Sequence, residues 1–323
     1  MLEPFDVANP AHLAAAAQLW TVACGPDLSI SQRFVAYNVE PHTGKRQAGQ
    51  LVVSHGQPAG FVLASVLKGD PSASSPERGY IDALAVAPTT QRRGHGRELL
   101  SWAEGWLHEQ GCTRVTLGAG FQPFVPGVPD ELGTAPFFIQ QGYKQSPRHG
   151  VVWDMSADLS DYDTPSPGRQ THGVLVRPAR AGDEETMLSF LRREFNGGWR
   201  YECEELLRAG IRLSDYILLF SERGIDGCCL VSFEDSLRPL DRFYMHRLPH
   251  PWGQLGSIGV SVDRRGQGYG SALLDGGLRH LRCNGVRGCV IDWLVLVDFY
   301  ARFGFRTFRK YIMLSKEMDQ AIA

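Results

Sequence analysis

Two short stretches of this chain combine glycines, basic residues and a helix start in the way an anion site requires. Gln91-Arg92-Arg93-Gly94-His95-Gly96 runs into Arg97-Glu98-Leu99-Leu100, and Arg265-Gly266-Gln267-Gly268-Tyr269-Gly270 runs into Ser271-Ala272-Leu273-Leu274. Each follows an apolar strand-like segment, through Leu84 and Val86 in the first case and through Ile258, Gly259 and Val260 in the second. The spacing from strand to turn is the same in both. A helix start leaves backbone N–H groups without intrahelical partners and carries the positive end of the helix dipole. Glycines let that backbone approach a bound phosphate closely, and the flanking Arg92, Arg93, Arg264 and Arg265 add positive charge. Both turns are therefore predicted to cradle a pyrophosphate, and one phosphate-binding unit is duplicated.

Two familiar phosphate motifs do not fit. A Rossmann fingerprint needs a third glycine, but Ser271 stands where it should follow Gly266 and Gly268. A Walker loop needs Gly-Lys-Ser or Gly-Lys-Thr, which neither turn contains. An apolar-x-Val strand end, a short gap, Gln/Arg-x-x-Gly-x-Gly and a Leu-Leu helix resemble the acyl-CoA signature of the GNAT acetyltransferase superfamily. Gln91, Gly94 and Gly96 fill its positions once, and Arg265, Gly268 and Gly270 fill them again. A second marker follows each turn. Phe299-Tyr300-Ala-Arg-Phe-Gly304-Phe305 resembles the family's Phe-Tyr-x-x-x-Gly-Phe segment throughout, and Phe137-Phe138-Ile-Gln-Gln-Gly142-Tyr143 resembles it in part.

The resemblance implies acetyl-CoA as cofactor, with residues 258–260 and 265–271 as its contacts, Tyr269 and Ser271 included. Leu84, Val86, Gln91, Arg92, Arg93, Gly94, His95 and Gly96 form the corresponding set in the first half. It also implies that Tyr300 is a general acid that protonates the departing thiolate; a phenol and a thiol have comparable basicity. Phe138 stands at the matching place in the first half and cannot transfer a proton. Chemistry is thus expected in the second half only. Backbone N–H groups of the Ile258–Val260 strand would polarise the acyl carbonyl.

The base is less clear from residue types. Asp82 lies on the strand before the first turn, but Gly256 holds that place in the second. Asp292, Glu234, Asp235 and His250 are the remaining candidates there. Asp292 is preferred because Val290-Ile291-Asp292-Trp293 sets a carboxylate in an apolar strand, where it needs a polar partner. No cluster of His, Cys, Asp or Glu has metal-ligand spacing, so no metal is expected.

The elements that must position these groups also repeat. In the first half, Asn9-Pro10 opens a helix through Cys24, Gln50–Ser54 and 59–66 pair across His55-Gly56-Gln57-Pro58, and 80–86 is a third strand. A helix over 94–109, a strand over 113–117, a short helix over 135–141 and a final strand pair complete it. The second half runs strand 174–178, helix 182–195, a hairpin of 216–220 and 228–233, strand 257–262, helix 268–283, strand 286–293, short helix 298–303 and a closing strand within 305–314. Residues 157–173, rich in Ser, Pro, Asp and Gly, read as a linker. Residues 118–134 are longer than their second-half counterpart. With Phe121, Phe124 and three prolines they form a stiff apolar loop that lines a pocket, meets another domain or covers a sheet edge.

The expected fold is α/β: two tandem GNAT-like domains, each a mixed, mostly antiparallel sheet flanked by helices. Residues 1–156 form a non-catalytic domain and 174–323 a catalytic one. The chain of 323 residues has 43% apolar and 21% charged residues and a net charge of −2, which favours neither nucleic acid nor membrane as partner. Seven cysteines without C-x-x-C spacing suit reduced thiols in a cytoplasmic protein, monomeric or a homodimer. The predicted activity is acetyl-CoA-dependent N-acetyl transfer to the primary amine of a small molecule or peptide. An acyl-CoA-binding sensor and an aminoacyl-tRNA-dependent transferase are the rival readings.

Overall fold

The structure, a computed structural model, describes residues 1–147, 149–163, 173–244 and 247–318. It divides into two compact units, Met1–Val152 with Arg309–Ala323, and Trp153–Phe308. Unit 1 runs β1 (Leu2–Pro4), α1 (Pro10–Cys24), α2 (Gln32–Val39), β2 (Lys45–Ser54), β3 (Gln57–Leu67), β4 (Arg78–Val86), α3 (His95–Glu109), β5 (Arg114–Leu117), β6 (Val128–Pro129), α4 (Ala135–Gln140) and β7 (Lys144–Gln145). Then follow β8 (Val151–Asp158), β9 (Leu175–Pro178), α5 (Glu184–Glu194), α6 (Gly198–Arg208), β10 (Tyr216–Ser221), β11 (Gly224–Phe233), β12 (Trp252–Val260), α7 (Tyr269–Cys283), β13 (Gly288–Leu294), α8 (Val297–Ala301), β14 (Arg306–Ile312) and β15 (Leu314–Glu317).

Helix boundaries follow local chemistry. The Asn9 side chain accepts from the Ala11 N–H at 3.0 Å and Pro10 sits in the first turn, so α1 starts where a cap and a preset φ coincide. The turn between β2 and β3 shrinks to His55-Gly56, both at positive φ, which matches the twist of the two strands. Two helices, α2 and α6, lie beyond the elements predicted from sequence.

The unit 1 sheet has the order β1-β2-β3-β4-β5-β15-β7, with β4 and β5 its parallel pair. In unit 2 the strands run β8-β13-β12-β11-β10-β9, with β12 and β13 parallel. Long helices cover one face of each: Leu99, Leu100, Ala103 and Leu107 of α3, and Leu273, Leu274, Leu278 and Leu281 of α7, are buried against their sheets. Each such leucine contributes about 1.5–3 kcal/mol of burial. Across the other face of unit 2, Met187, Phe190 and Leu191 of α5 and Cys203 and Leu206 of α6 pack on Leu218, Cys228 and Leu230. Alternation along β11 thus sends Cys228 to the α5–α6 face and Cys229 to the α7 face.

The boundaries differ from the expected ones at both ends. β8 pairs with β13 and ends at Asp158, and Leu159 and Tyr162 are buried in the unit 2 core. Residues 157–163 are therefore packed structure; the part of the expected linker over 164–172 lies outside the described residues. At the other end, β15 pairs with β5 and β7 of unit 1, so each unit's sheet includes a strand from the other half of the sequence.

Candidate functional site

The second glycine turn connects β12 to α7. Gly268 opens α7 at φ +91, a left-handed conformation that an L side chain resists. The first bond back to it comes from the Ala272 N–H at 3.0 Å, which leaves the N–H groups of Tyr269, Gly270 and Ser271 outside the helix ladder. A cleft of about 880 Å³ opens over this turn. Residues 258–260, 265–268, 270 and 271 line it together with Tyr300, so the expected contacts come together on one surface. Tyr269 is the exception. It is buried in the core, with the Arg264 guanidinium 5.4 Å above its ring. The cleft also takes Phe195, Trp199, Leu296, Phe299 and Arg302, none of which the motifs pointed to.

Of the two arginines at the turn, Arg265 lines the cleft, while Arg264 is turned away to ion-pair with Glu222 and Asp226. Asp226 organises this approach. It is 1% exposed and accepts from Ser221 Oγ at 2.6 Å, Ser261 Oγ at 2.7 Å and Arg223 Nη2 at 2.8 Å, while its carbonyl accepts from the Ser261 N–H. Burial pulls its pKa up, but those hydrogen bonds and the arginine charge outweigh it and hold the carboxyl at about 2. None of the motifs in the sequence points to Asp226.

β12 is shaped for an extended ligand. It pairs with β13 only from Trp252 to Gln254, and against β11 its register slips between Gly256 and Gly259. Ser257 sits in that bulge at φ +47. Beyond Gln254 the edge that faced β13 has no strand in register, so its N–H and C=O groups can pair with an amide-bearing chain. Gly259 is required by the wall opposite: a Cβ there would lie 2.3 Å from Phe195 Cζ and 2.8 Å from Trp199 Cζ3. An anion cradle at one end and a free strand edge leading away fit a pyrophosphate carrying an amide-containing arm.

Tyr300 reaches the cleft from α8 and is 6% exposed. Burial, then the Cys229 thiol and the Asp292 carboxylate, push its pKa above the usual phenol range, so the group holds its proton at neutral pH. Asp292 is 12% exposed, accepts from Gln254 Nε2 at 3.0 Å and lies 3.9 Å from Arg242 Nη2. The polar partners its strand position called for are thus present. Glu234 holds the Trp252 N–H at 2.9 Å and His250 Nδ1 at 2.8 Å. Asp235 is bound by Arg212. A further carboxylate, Glu202 of α6, accepts from Ser257 Oγ at 3.1 Å.

In unit 1 the matching turn keeps its backbone form, with Gly94 at φ +94. Arg92 adopts φ +62 where Gly266 stands at +76. Gln91 bonds back to the Val86 carbonyl at 3.0 Å, His95 lies 3.6 Å from Glu98, Val86 is buried and Leu84 packs against the core. The strand edge beyond it differs. The Gly118 N–H bonds to the Ile81 carbonyl at 2.9 Å and the Phe124 N–H to the Asp82 carbonyl at 3.1 Å. Phe124 is buried, with Trp20, Phe34 and Phe61 rings within 5.1 to 6.1 Å. Loop 118–134 thus covers the sheet edge, one of the three roles left open above. Asp82 is buried and held by Gln47, Ser65 and the nearby Lys45, and burial raises its pKa. Phe138 is buried beside Phe137 and Tyr143.

Among the described residues, no helix is long and apolar enough to cross a membrane, and no group of His, Cys, Asp and Glu side chains could hold a metal ion. The acetyltransferase (GNAT) family model matches residues 20–122 and 185–305. A mycothiol acetyltransferase of Geodermatophilus obscurus is 29% identical over 329 residues, covering 94% of each chain. Another, from Saccharomonospora viridis, is 28% identical over 237 residues, 69% of this chain and 70% of that one. Among solved structures, a tandem GNAT protein from the clavulanic acid biosynthesis pathway has a TM-score of 0.71 at 16% identity, covering 98% of both chains. The glucosamine N-acetyltransferase region of a fungal multi-domain beta-N-acetylglucosaminidase gives 0.86 at 23%; the match covers 98% of this chain and 38% of that one. With two matched regions that each contain one of the glycine turns, this chain belongs to the GNAT family, as a tandem N-acetyltransferase.

Proposed function

We propose that the unit 2 cleft transfers an acetyl group from acetyl-CoA to the primary amine of a small molecule by direct attack. The observation that carries this is the convergence on one cleft of the Arg265–Gly270 turn, the free edge of β12 and Tyr300. Acetyl-CoA, when bound, supplies a thioester as the acyl donor. The N–H groups at the start of α7 and Arg265 hold its pyrophosphate. The β12 edge aligns its arm, and backbone N–H groups of residues 258–260 polarise the acyl carbonyl. Tyr300 gives its proton to the leaving sulfur. Unit 1 has a similar turn, but Phe138 provides no acid and loop 118–134 takes the strand edge. The similarity to mycothiol acetyltransferases and to a glucosamine N-acetyltransferase region supports a small amine acceptor over a protein. We place the enzyme in the cytoplasm, as a monomer or homodimer that binds neither nucleic acid nor membrane.

The test is acetyl transfer by the full chain to a panel of amino sugars, aminoacyl sugars and amino acids, read as thiol release and product mass. Gly268→Glu should abolish transfer, because it adds a side chain at positive φ and a negative charge facing the phosphate. Gly94→Glu should leave it intact. Transfer that depends on Gly94 and not on Gly268 would reverse the assignment of the units.

A further inference from the structure

We propose that Glu202 of α6 is the carboxylate that takes a proton from the acceptor ammonium, a role resting on the acetyl-transfer reading above. Three placements support it. Trp199 of the same helix lines the cleft, and Glu202 follows it one turn later on the same face. The Glu202 Oε2 atom accepts from Ser257 Oγ at 3.1 Å, and Ser257 adjoins Ile258, whose Cα is about 3.8 Å further along the strand lining the cleft. The Oε1 atom is pinned 3.2 Å from Nη1 of the buried Arg238, which fixes the carboxylate's direction. With 22% of its side chain exposed, Glu202 can be reached by a ligand or by one bridging water.

The other carboxylates of this region are placed for different work. Asp292 is 12% exposed and spans Gln254 and Arg242. Glu234 binds the Trp252 N–H, six residues before Ile258, or about 20 Å along an extended strand. Asp235 is paired with Arg212. Tyr300 lines the cleft from α8, and Glu202 stands beside it on α6 against Ser257, so a proton donor and a proton acceptor for opposite ends of one reaction come from different elements.

The proton count closes. The acceptor ammonium gives one proton to Glu202, and its nitrogen forms the C–N bond to the acetyl carbon. The C–S bond breaks with its electron pair on sulfur, and Tyr300 protonates that sulfur. The surplus proton on nitrogen then returns to the Tyr300 phenolate, and Glu202 releases its own to solvent. An ammonium and a thioester become an amide, a thiol and one free proton.

The experiment is the pH dependence of kcat/KM for Glu202→Gln in the full chain, with acetyl-CoA and the best acceptor of the amine panel. Besides Arg238, the groups facing Glu202 are Ser257 of β12, Tyr216 of β10 and its helix neighbour Cys203. Burial raises the Tyr216 phenol well above its usual range and the Cys203 thiol to about 12, so neither titrates in the assay window. At pH 7 the variant should lose about 10²-fold in rate while coenzyme A affinity stays within about twofold. Its rate should then climb about tenfold per pH unit as free amine forms in solution, meeting the wild type near the amine pKa. Glu202→Ala, which also removes the carboxylate, gives the same readout should the glutamine variant not fold. An unchanged rate at pH 7, or a loss equal at every pH, overturns the proposal, as does a pH-dependent loss in Asp292→Asn alone. A wild-type chain that acetylates no amine would instead sink the acetyl-transfer reading itself.

Discussion

Replacing Asp226 by Asn tests whether the phosphate turn is held from beneath by one buried charge. The carboxyl titrates at about 2, below the ordinary 3.8 of an unfolded aspartate. At about 1.4 kcal/mol per pKa unit, that difference amounts to about 2.5 kcal/mol of stability at neutral pH. Because the folded value is the lower one, the contribution is fully present above the unfolded pKa. It fades as pH falls through 3.8 towards 2, with about half gone at pH 3. A unit of this size loses about 2–4 °C of Tm per kcal/mol, so Asp226→Asn should melt about 5–10 °C lower at pH 7. The gap should narrow to about half at pH 3. Loss of the Ser261 and Arg264 contacts should also loosen the approach to Arg265 and weaken coenzyme A binding. Thermal melts across pH and coenzyme A calorimetry read both effects. A variant within about 1 °C of wild type at pH 7, or a gap of constant size down to pH 3, would refute the reasoning.

Other consequences separate residues that look alike in sequence. Arg265→Ala should weaken acetyl-CoA binding about tenfold and leave Tm unchanged, as expected for one charge-assisted phosphate contact. Arg264→Ala, which breaks pairs with Glu222 and Asp226, should lower Tm with less effect on affinity; parallel melts and titrations distinguish the two. Gly259→Val forces the Phe195 and Trp199 rings out of place and should cost about 1–3 kcal/mol as well as cleft function, measured by urea unfolding and KM. Phe124→Ala should remove about 3–5 kcal/mol from unit 1, seen in its unfolding transition. Acetyl transfer at low temperature should persist, since Phe124 fills the strand edge of unit 1.

Much of this site was legible because its chemistry is local. A phosphate cradle needs glycine at positive φ next to a helix start, and that requirement is written in consecutive residues 265–271. Tyr300 could be found the same way, from the residues on either side of it. Groups that act across the fold left no such trace. Asp226 lies far along the chain from Ser261, and Glu202 stands in a run with Cys203, Glu204 and Glu205 that matches no motif. Only the bulge at Ser257 and the packing of α6 bring Glu202 to Ser257, the neighbour of the cleft-lining Ile258. The exchange of β8 and β15 was hidden for a related reason. A strand's own residues fix its pleat and its apolar face but not the sheet it joins, so element order alone put β15 in the wrong unit.

Everything proposed for this enzyme depends on acetyl transfer in unit 2 with Tyr300 as the proton donor. Single-turnover acetyl transfer by Tyr300→Phe, with coenzyme A affinity measured on the same preparation, tests it most directly. The rate should fall by about 10²-fold or more with affinity within about twofold, because the ring stays and only the hydroxyl goes. A phenylalanine variant that transfers acetyl at the wild-type rate would contradict it.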